Sequence, residues 1–92
     1  MELREYSYTD NGHKLCFRVG QSLKFMSENG DLTIMIIHSI EKDRYKNQDR
    51  ITIRVRKDKD SEIIDWKVIY RGEDGSLTIE VYDYEKELGR DK

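Results

Sequence analysis

The sequence predicts an all-β fold: one small antiparallel β-barrel, or a barrel-like sandwich, of about seven strands built from consecutive hairpins. Three observations predict it. Asn11-Gly12, Asn29-Gly30 and Asp74-Gly75 each stand between runs that alternate apolar with polar residues. An Asx-Gly pair is the tight-turn signal, because both central positions of the favoured hairpin turn need φ > 0. Apolar residues recur with period two, and nowhere at helical spacing. Turn signals recur about every ten residues, the interval of sandwiches and barrels, although the 92 residues include no proline.

The strands follow in order over residues 3–9, 13–19, 22–28, 31–40, 50–57, 62–71 and 76–84. A two-residue turn at Asn11-Gly12 sets Tyr8 against Leu15, Tyr6 against Phe17 and Arg4 against Val19. The other face of that hairpin pairs Ser7 with Cys16 and Glu5 with Arg18, opposite charges across the ladder. The same turn at Asn29-Gly30 predicts Phe25 opposite Ile34 and Leu23 opposite Ile36, with Met26 against Thr33 and Lys24 against Met35. At Asp74-Gly75 it predicts Tyr70 opposite Ile79, Val68 opposite Val81 and Lys67 opposite Tyr82. A four-residue polar loop over 58–61 closes a fourth hairpin, with Val55 facing Ile64, Ile53 facing Trp66 and Ile51 facing Val68. On its other face Arg54 meets Asp65 and Lys57 meets Glu62. A slip of one residue would move each apolar set to the wrong face, so register and pattern are read together.

The chain is one domain over residues 1–84, with a charged tail over 85–92 that is too short for a stable isolated helix. At this length a single modest core buries roughly 60–65% of the unfolded surface. Charged residues make up 39% and mean hydropathy is −0.89, so the apolar residues must be concentrated at alternating positions to build that core. No export signal opens the chain, no stretch approaches the ~18 apolar residues of a membrane span, and one cysteine, Cys16, cannot form an internal disulfide. The cytoplasm is the expected compartment.

Charge is distributed unevenly. Residues 42–59 carry eight basic groups (Lys42, Arg44, Lys46, Arg50, Arg54, Arg56, Lys57, Lys59) against three acidic ones, whereas residues 60–92 carry five basic and ten acidic. Two readings follow. Oppositely charged strand faces can neutralise each other in space, as Arg54 against Asp65 would. Alternatively the basic segment is a recognition surface: with Ile51, Ile53 and Val55 inward, Arg50, Thr52, Arg54 and Arg56 line the outer face. The preceding segment adds Arg44, Tyr45 and Lys46. Cations with a stacking aromatic suit a nucleic-acid-binding barrel, though a sequence pI near 5.7 is far below the usual basic footprint.

A second candidate surface is apolar. With Ile34 and Ile36 in the core set, Met26, Met35 and Ile37 point to the other face, as do Ile63, Ile69, Tyr82 and Tyr84. Either both faces are partly buried, or Met26, Met35, Ile37, Ile69 and Tyr82 form an interface for another protein or a second copy, using adaptable Met and amphipathic Tyr.

The stretch Val19-Gly20-Gln21-Ser22-Leu23-Lys24-Phe25, followed by Glu28-Asn29-Gly30-Asp31 and an Ile-rich strand, resembles the opening hairpin of small SH3-like and related β-barrels. The resemblance covers about 20 residues. It implies a small barrel and carries no functional residues across.

Catalytic signals are weak. His13 flanks a turn and reads as solvated, and His38 closes an apolar strand and reads as packed. Cys16 has no neighbour at metal-ligand spacing and reads as a small packed residue. Asp83 falls on the core face opposite Trp66, where the last strand leaves the core. Gly72 and Gly75 bracket a hairpin turn rather than a phosphate loop. The expectation is therefore a non-enzymatic binding module with no cofactor and no metal, whose partner is another protein or itself. Nucleic acid is the alternative, and no membrane is involved.

Overall fold

The computed structural model describes residues 1–82, so the expectations placed on Asp83, Tyr84 and the tail lie outside the described residues. Regular structure is β throughout: β1 (Glu2–Leu3), β2 (Glu5–Asp10), β3 (His13–Arg18), β4 (Ser22–Met26), β5 (Leu32–Tyr45), β6 (Gln48–Lys57), β7 (Ile63–Arg71) and β8 (Leu77–Val81). Six strands form one antiparallel sheet in the order β1-β5-β6-β7-β8, with β4 also paired to β5, and β2-β3 form a sheet of their own. Among the described residues neither sheet closes on itself, and no helix is long and apolar enough to cross a membrane.

The two sheets are joined by strands that change partner. β1 and β2 are separated only by Arg4. The Arg4 carbonyl accepts from the Val19 amide at 2.9 Å and ends the β2-β3 ladder; one residue on, the Gly20 amide donates to the Ile37 carbonyl of β5 at 2.8 Å. Gly20 makes this corner at φ 91°, a conformation that costs glycine little. The chain thus leaves the large sheet, folds the β2-β3 hairpin back over one face, and returns to the same edge. Strands that switch sheets at bends are how two packed sheets share a corner.

The covered face holds the core. Met35, Ile37, Ile40, Ile51, Ile53, Val55 and Ile69 are fully buried on it, and Tyr8 and Phe17 close it from the hairpin side. Trp66 ties the layers together, edge-on to Phe17 at 5.5 Å and to Phe25 at 5.9 Å. Each fully buried aliphatic side chain contributes about 1.5–3 kcal/mol, and such edge-to-face pairs add about 0.5–1.5 kcal/mol each.

Three turns decide how far the expected registers hold. At Asn11 (φ 52°) and Gly12 (φ 81°) both central residues are left-handed, and the predicted pairs Tyr8–Leu15, Ser7–Cys16, Tyr6–Phe17 and Glu5–Arg18 are all found, with Arg4 bonded to Val19 beyond them. The other two loops are three residues long. The Gly30 amide donates to the Ser27 carbonyl at 3.0 Å and the Ser27 amide to the Asp31 carbonyl at 2.8 Å. In the second, Gly75 donates to Gly72 and Gly72 to Ser76, both at 3.0 Å. Gly30 at φ 91° and Gly75 at φ 87° sit in the bulge position, giving a type I turn closed by a glycine bulge. The extra residue is Glu28 in one loop and Glu73 in the other.

That extra residue shifts both registers by one. Leu23 pairs with Met35 and Phe25 with Thr33, so Met35 and Ile37 enter the core while Ile34 and Ile36 turn to the other face. Likewise Ile69 pairs with Ile79 and Tyr70 with Thr78. The β6-β7 hairpin follows its expected register at Val55–Ile64 and Arg54–Asp65, then a bulge at Trp66 moves Ile53 opposite Lys67 and Ile51 opposite Ile69. A second bulge, at His38, separates Ile37–Val55 from Ser39–Arg54.

Candidate interaction surface

The second face of the large sheet is covered by no other element among the described residues. Its cross-strand rows read Glu41–Thr52–Val68–Glu80, Ser39–Arg54–Asp65, Asp43–Arg50–Tyr70–Thr78 and Ile36–Arg56–Ile63. The central Thr52–Val68 pair is nevertheless buried, flanked on this face by the Arg50–Tyr70 and Arg54–Asp65 pairs. Arg50, Arg54 and Arg56 therefore face outward as their alternation with Ile51, Ile53 and Val55 requires.

One end of this face carries a cluster that sequence reasoning assembled only in part. β5 runs on to Tyr45 and β6 begins at Gln48, joined by Lys46 (φ 51°) and Asn47 (φ 62°) in a two-residue left-handed turn. The segment expected as a basic loop is instead the tip of a long hairpin. The turn aligns Asp43 with Arg50, and the Arg50 guanidinium donates to both Asp43 oxygens, Nε–Oδ1 at 3.0 Å and Nη2–Oδ2 at 2.9 Å. A bidentate fork of this kind fixes the guanidinium plane. Its carbon lies 5.0 Å from the centre of the Tyr45 ring, and Tyr70 tilts against Tyr45 at 6.0 Å. Lys46 Nζ lies 5.2 Å from the same ring. The Arg50 hydrogen bond, with its charge in support, holds the Asp43 carboxyl below the usual carboxylate range. Reciprocally, Asp43 raises Arg50.

The remaining expected basic residues are divided. Arg54 Nε donates to Asp65 Oδ1 at 2.9 Å, the pair anticipated from register. Arg44 lies in the Arg44–Asp49–Arg71 row on the opposite face, held by Asp49 at 3.4 Å and Glu73 at 3.2 Å. Arg56 has no ion pair among the described residues and borders an open depression with His38, Lys59, Asp60, Ser61 and Ile63. Thus Tyr45, Arg50, Arg54 and Arg56 share the uncovered face, Lys46 caps its end, and Arg44 does not belong to it. Tyr70 and Asp43 are the site residues that sequence reasoning missed. Their signal is the Lys46-Asn47 turn, which specifies the Asp43–Arg50 pairing once Asn is accepted at a left-handed position.

The expected apolar interface does not exist as a surface. Met35, Ile37 and Ile69 are 1%, 1% and 0% exposed, because the one-residue register shifts turn them inward. Met26 and Tyr82 remain exposed, without the three residues that were to join them. Two smaller expectations also change. Cys16 is exposed rather than packed, on the outer face of the β2-β3 hairpin. His38 is exposed as well, turned out by the bulge at its own position.

Among the described residues no three His, Cys, Asp or Glu side chains come together as a metal site. Comparison with protein-family models, curated proteins and solved structures finds no match to this chain.

Proposed function

We propose that this chain is a non-catalytic protein-binding module, a partly open β-barrel that docks a protein partner on its uncovered sheet face through Tyr45, Arg50 and Tyr70. The observation that carries the reading is the cluster itself: two tyrosine rings 6.0 Å apart, with a guanidinium on one of them locked by a bidentate carboxylate. Tyr and Arg dominate interface hot spots, and side chains already fixed lose less entropy on docking.

The state of the cations favours a protein over nucleic acid. Affinity for a phosphate backbone comes from cations that exchange counterions for phosphates. Arg50, Arg54 and Arg44 already hold Asp43, Asp65 and the Asp49/Glu73 pair. A phosphate would have to displace those carboxylates, leaving Lys46 and Arg56 as the face's readily available charges.

The test is affinity capture from native lysate by the wild-type chain and by the double variant Tyr45→Ser/Tyr70→Ser, each with and without nuclease. The expected result is a protein retained by the wild type in the presence of nuclease and lost from the variant. Sedimentation of the pure chain covers the case in which that partner is a second copy. Capture that nuclease abolishes, or that the variant retains in full, overturns the reading.

A further inference from the structure

We propose that the gap between β2 and β8 is a slot for one extended acidic peptide, which adds as a strand between two edges that the fold leaves unpaired. This slot shares no residue with the Tyr45–Arg50–Tyr70 cluster and does not depend on it.

In an antiparallel pair, directly opposed residues alternate between exchanging both main-chain bonds and exchanging none. The bond from Val19 to the Arg4 carbonyl at 2.9 Å makes Arg4–Val19 a bonded pair. Counting along the β2-β3 register, Tyr6–Phe17 and Tyr8–Leu15 are bonded too, and Ser7 and Thr9 direct their N–H and C=O groups away from β3. On the other side, the bonds Gly72–Ser76 and Tyr82–Trp66, both at 3.0 Å, place Thr78 and Glu80 in bonded pairs with β7. Leu77 and Ile79 then direct their main-chain groups to the free edge of β8. Neither set has a strand partner among the described residues, since β2 pairs only with β3 and β8 only with β7.

The β2 edge at Ser7 and Thr9 and the β8 edge at Leu77 border the same space. A cleft of about 260 Å³ is lined by Ser7, Tyr8 and Thr9 from β2 and by Arg71 and Leu77 from the β7-β8 hairpin, with Lys14 beside them. Unpaired donors and acceptors two residues apart are what an added strand recognises. The lining also states the charge of the occupant. It contains Lys14 and Arg71, neither in an ion pair among the described residues, and no carboxylate. A glutamate or aspartate side chain on the incoming strand meets two cations there, while its backbone pairs with Ser7 and Thr9.

The test is an amide-resolved NMR titration of the intact chain with a capped peptide of alternating glutamate and valine. Three companions accompany it: the lysine-for-glutamate peptide, the acidic peptide N-methylated at alternate amides, and inorganic phosphate. The expected result is binding of the acidic peptide with perturbations centred on Ser7, Thr9, Leu77 and Ile79, and slowed exchange of those four amides. N-methylation and the variant Lys14→Glu/Arg71→Glu are each expected to weaken it at least tenfold, and the variant to prefer the lysine peptide. Both variant positions are exposed, and the variant's unperturbed spectrum verifies its fold. Three results overturn the proposal: no binding at millimolar peptide, binding indifferent to N-methylation, or the same perturbations with phosphate, which would make the cleft an ion site.

Discussion

The two faces of the six-stranded sheet solve different problems with one set of strands. Along β6, Ile51, Ile53 and Val55 are essentially inaccessible, while Arg50, Arg54 and Arg56 alternate with them on the other side. The first face is held by area: aliphatic side chains pack beneath Phe17, Trp66 and Phe25, where every methylene removed leaves a void. The second is held by pairing, with Asp43–Arg50 and Asp65–Arg54 neutralising charge in place. Partly exposed ion pairs contribute little stability, yet they fix the orientation of the groups they join. Stability resides on the covered face, and the uncovered one is free to be specialised for recognition.

Adjacent residues break the comparison most sharply. Ile53→Ala is expected to cost about 2–5 kcal/mol, the range for an aliphatic residue truncated in a packed core. Arg54→Ala, one position along, is expected to cost about 0.2–1 kcal/mol. Urea unfolding of the two variants with equal m-values checks this, and equal losses would mean that the second face is also structural.

A smaller effect concerns the turn that assembles the cluster. Lys46 at φ 51° holds a conformation that costs a non-glycine residue roughly 1 kcal/mol. Replacing Lys46-Asn47 by Asn-Gly keeps the two-residue turn in a form that favours it. The variant is expected to gain about 1 kcal/mol while Asp43 still faces Arg50, as read from its thermal midpoint and from cross-strand contacts in NMR.

Lys67 lies between the two regimes. Its ammonium sits 4.7 Å from the Trp66 ring and 5.1 Å from Phe17, and burial pushes its pKa below the usual lysine value. The folded chain therefore releases this proton at lower pH than the unfolded chain, and Lys67 makes stability rise with pH in the interval just below 10.5. Tyr8 acts in the opposite sense. Burial, helped by the charge of Asp10, raises its phenol, so stability falls as pH climbs past 10.0. Lys67→Met is expected to remove the rise and leave the fall, as followed by thermal melts between pH 8 and 11. A rise that persists in the variant would assign it to another group.

The smallest effect is expected from deleting Glu28. Ser27 and Asp31 already face each other across the loop, and without Glu28 they would flank a two-residue Asn-Gly turn in the same register. Every β4-β5 pair from Met26–Leu32 onward would be kept. A stability change under about 1 kcal/mol is expected, with an unchanged pattern of exchange-protected amides.

The same loops mark how far the fold was legible. Three Asx-Gly signals gave three hairpins, but only Asn11-Gly12 gave the right register. Type I′ turns and glycine-bulged type I turns both accept Asx-Gly, and the two differ by one residue in where the strands begin to pair. That residue, Glu28 or Glu73, carries no signal of its own. Its consequence is large: Glu28 sends Met35 and Ile37 into the core and, together with the Trp66 bulge that sets Ile69 opposite Ile51, dissolves the apolar surface expected from them. The bulge at Trp66 has the same character, since it answers to the aromatic packing of Phe17 and Phe25 rather than to any local preference. The outward row Arg50, Arg54 and Arg56 was legible because period-two alternation along β6 needs no partner strand. Asp43 and Tyr70 were not, because each joins the site through pairing across the sheet.

The most direct test places a photo-crosslinking phenylalanine analogue at Tyr45 in one protein and, as a control, at Cys16 on the outer face of the β2-β3 hairpin in another, and irradiates both in native lysate. If the uncovered face is the recognition surface, Tyr45 yields a discrete, nuclease-resistant protein adduct and Cys16 yields none. Adducts from Cys16 but not Tyr45, or adducts at Tyr45 that nuclease removes, would contradict it.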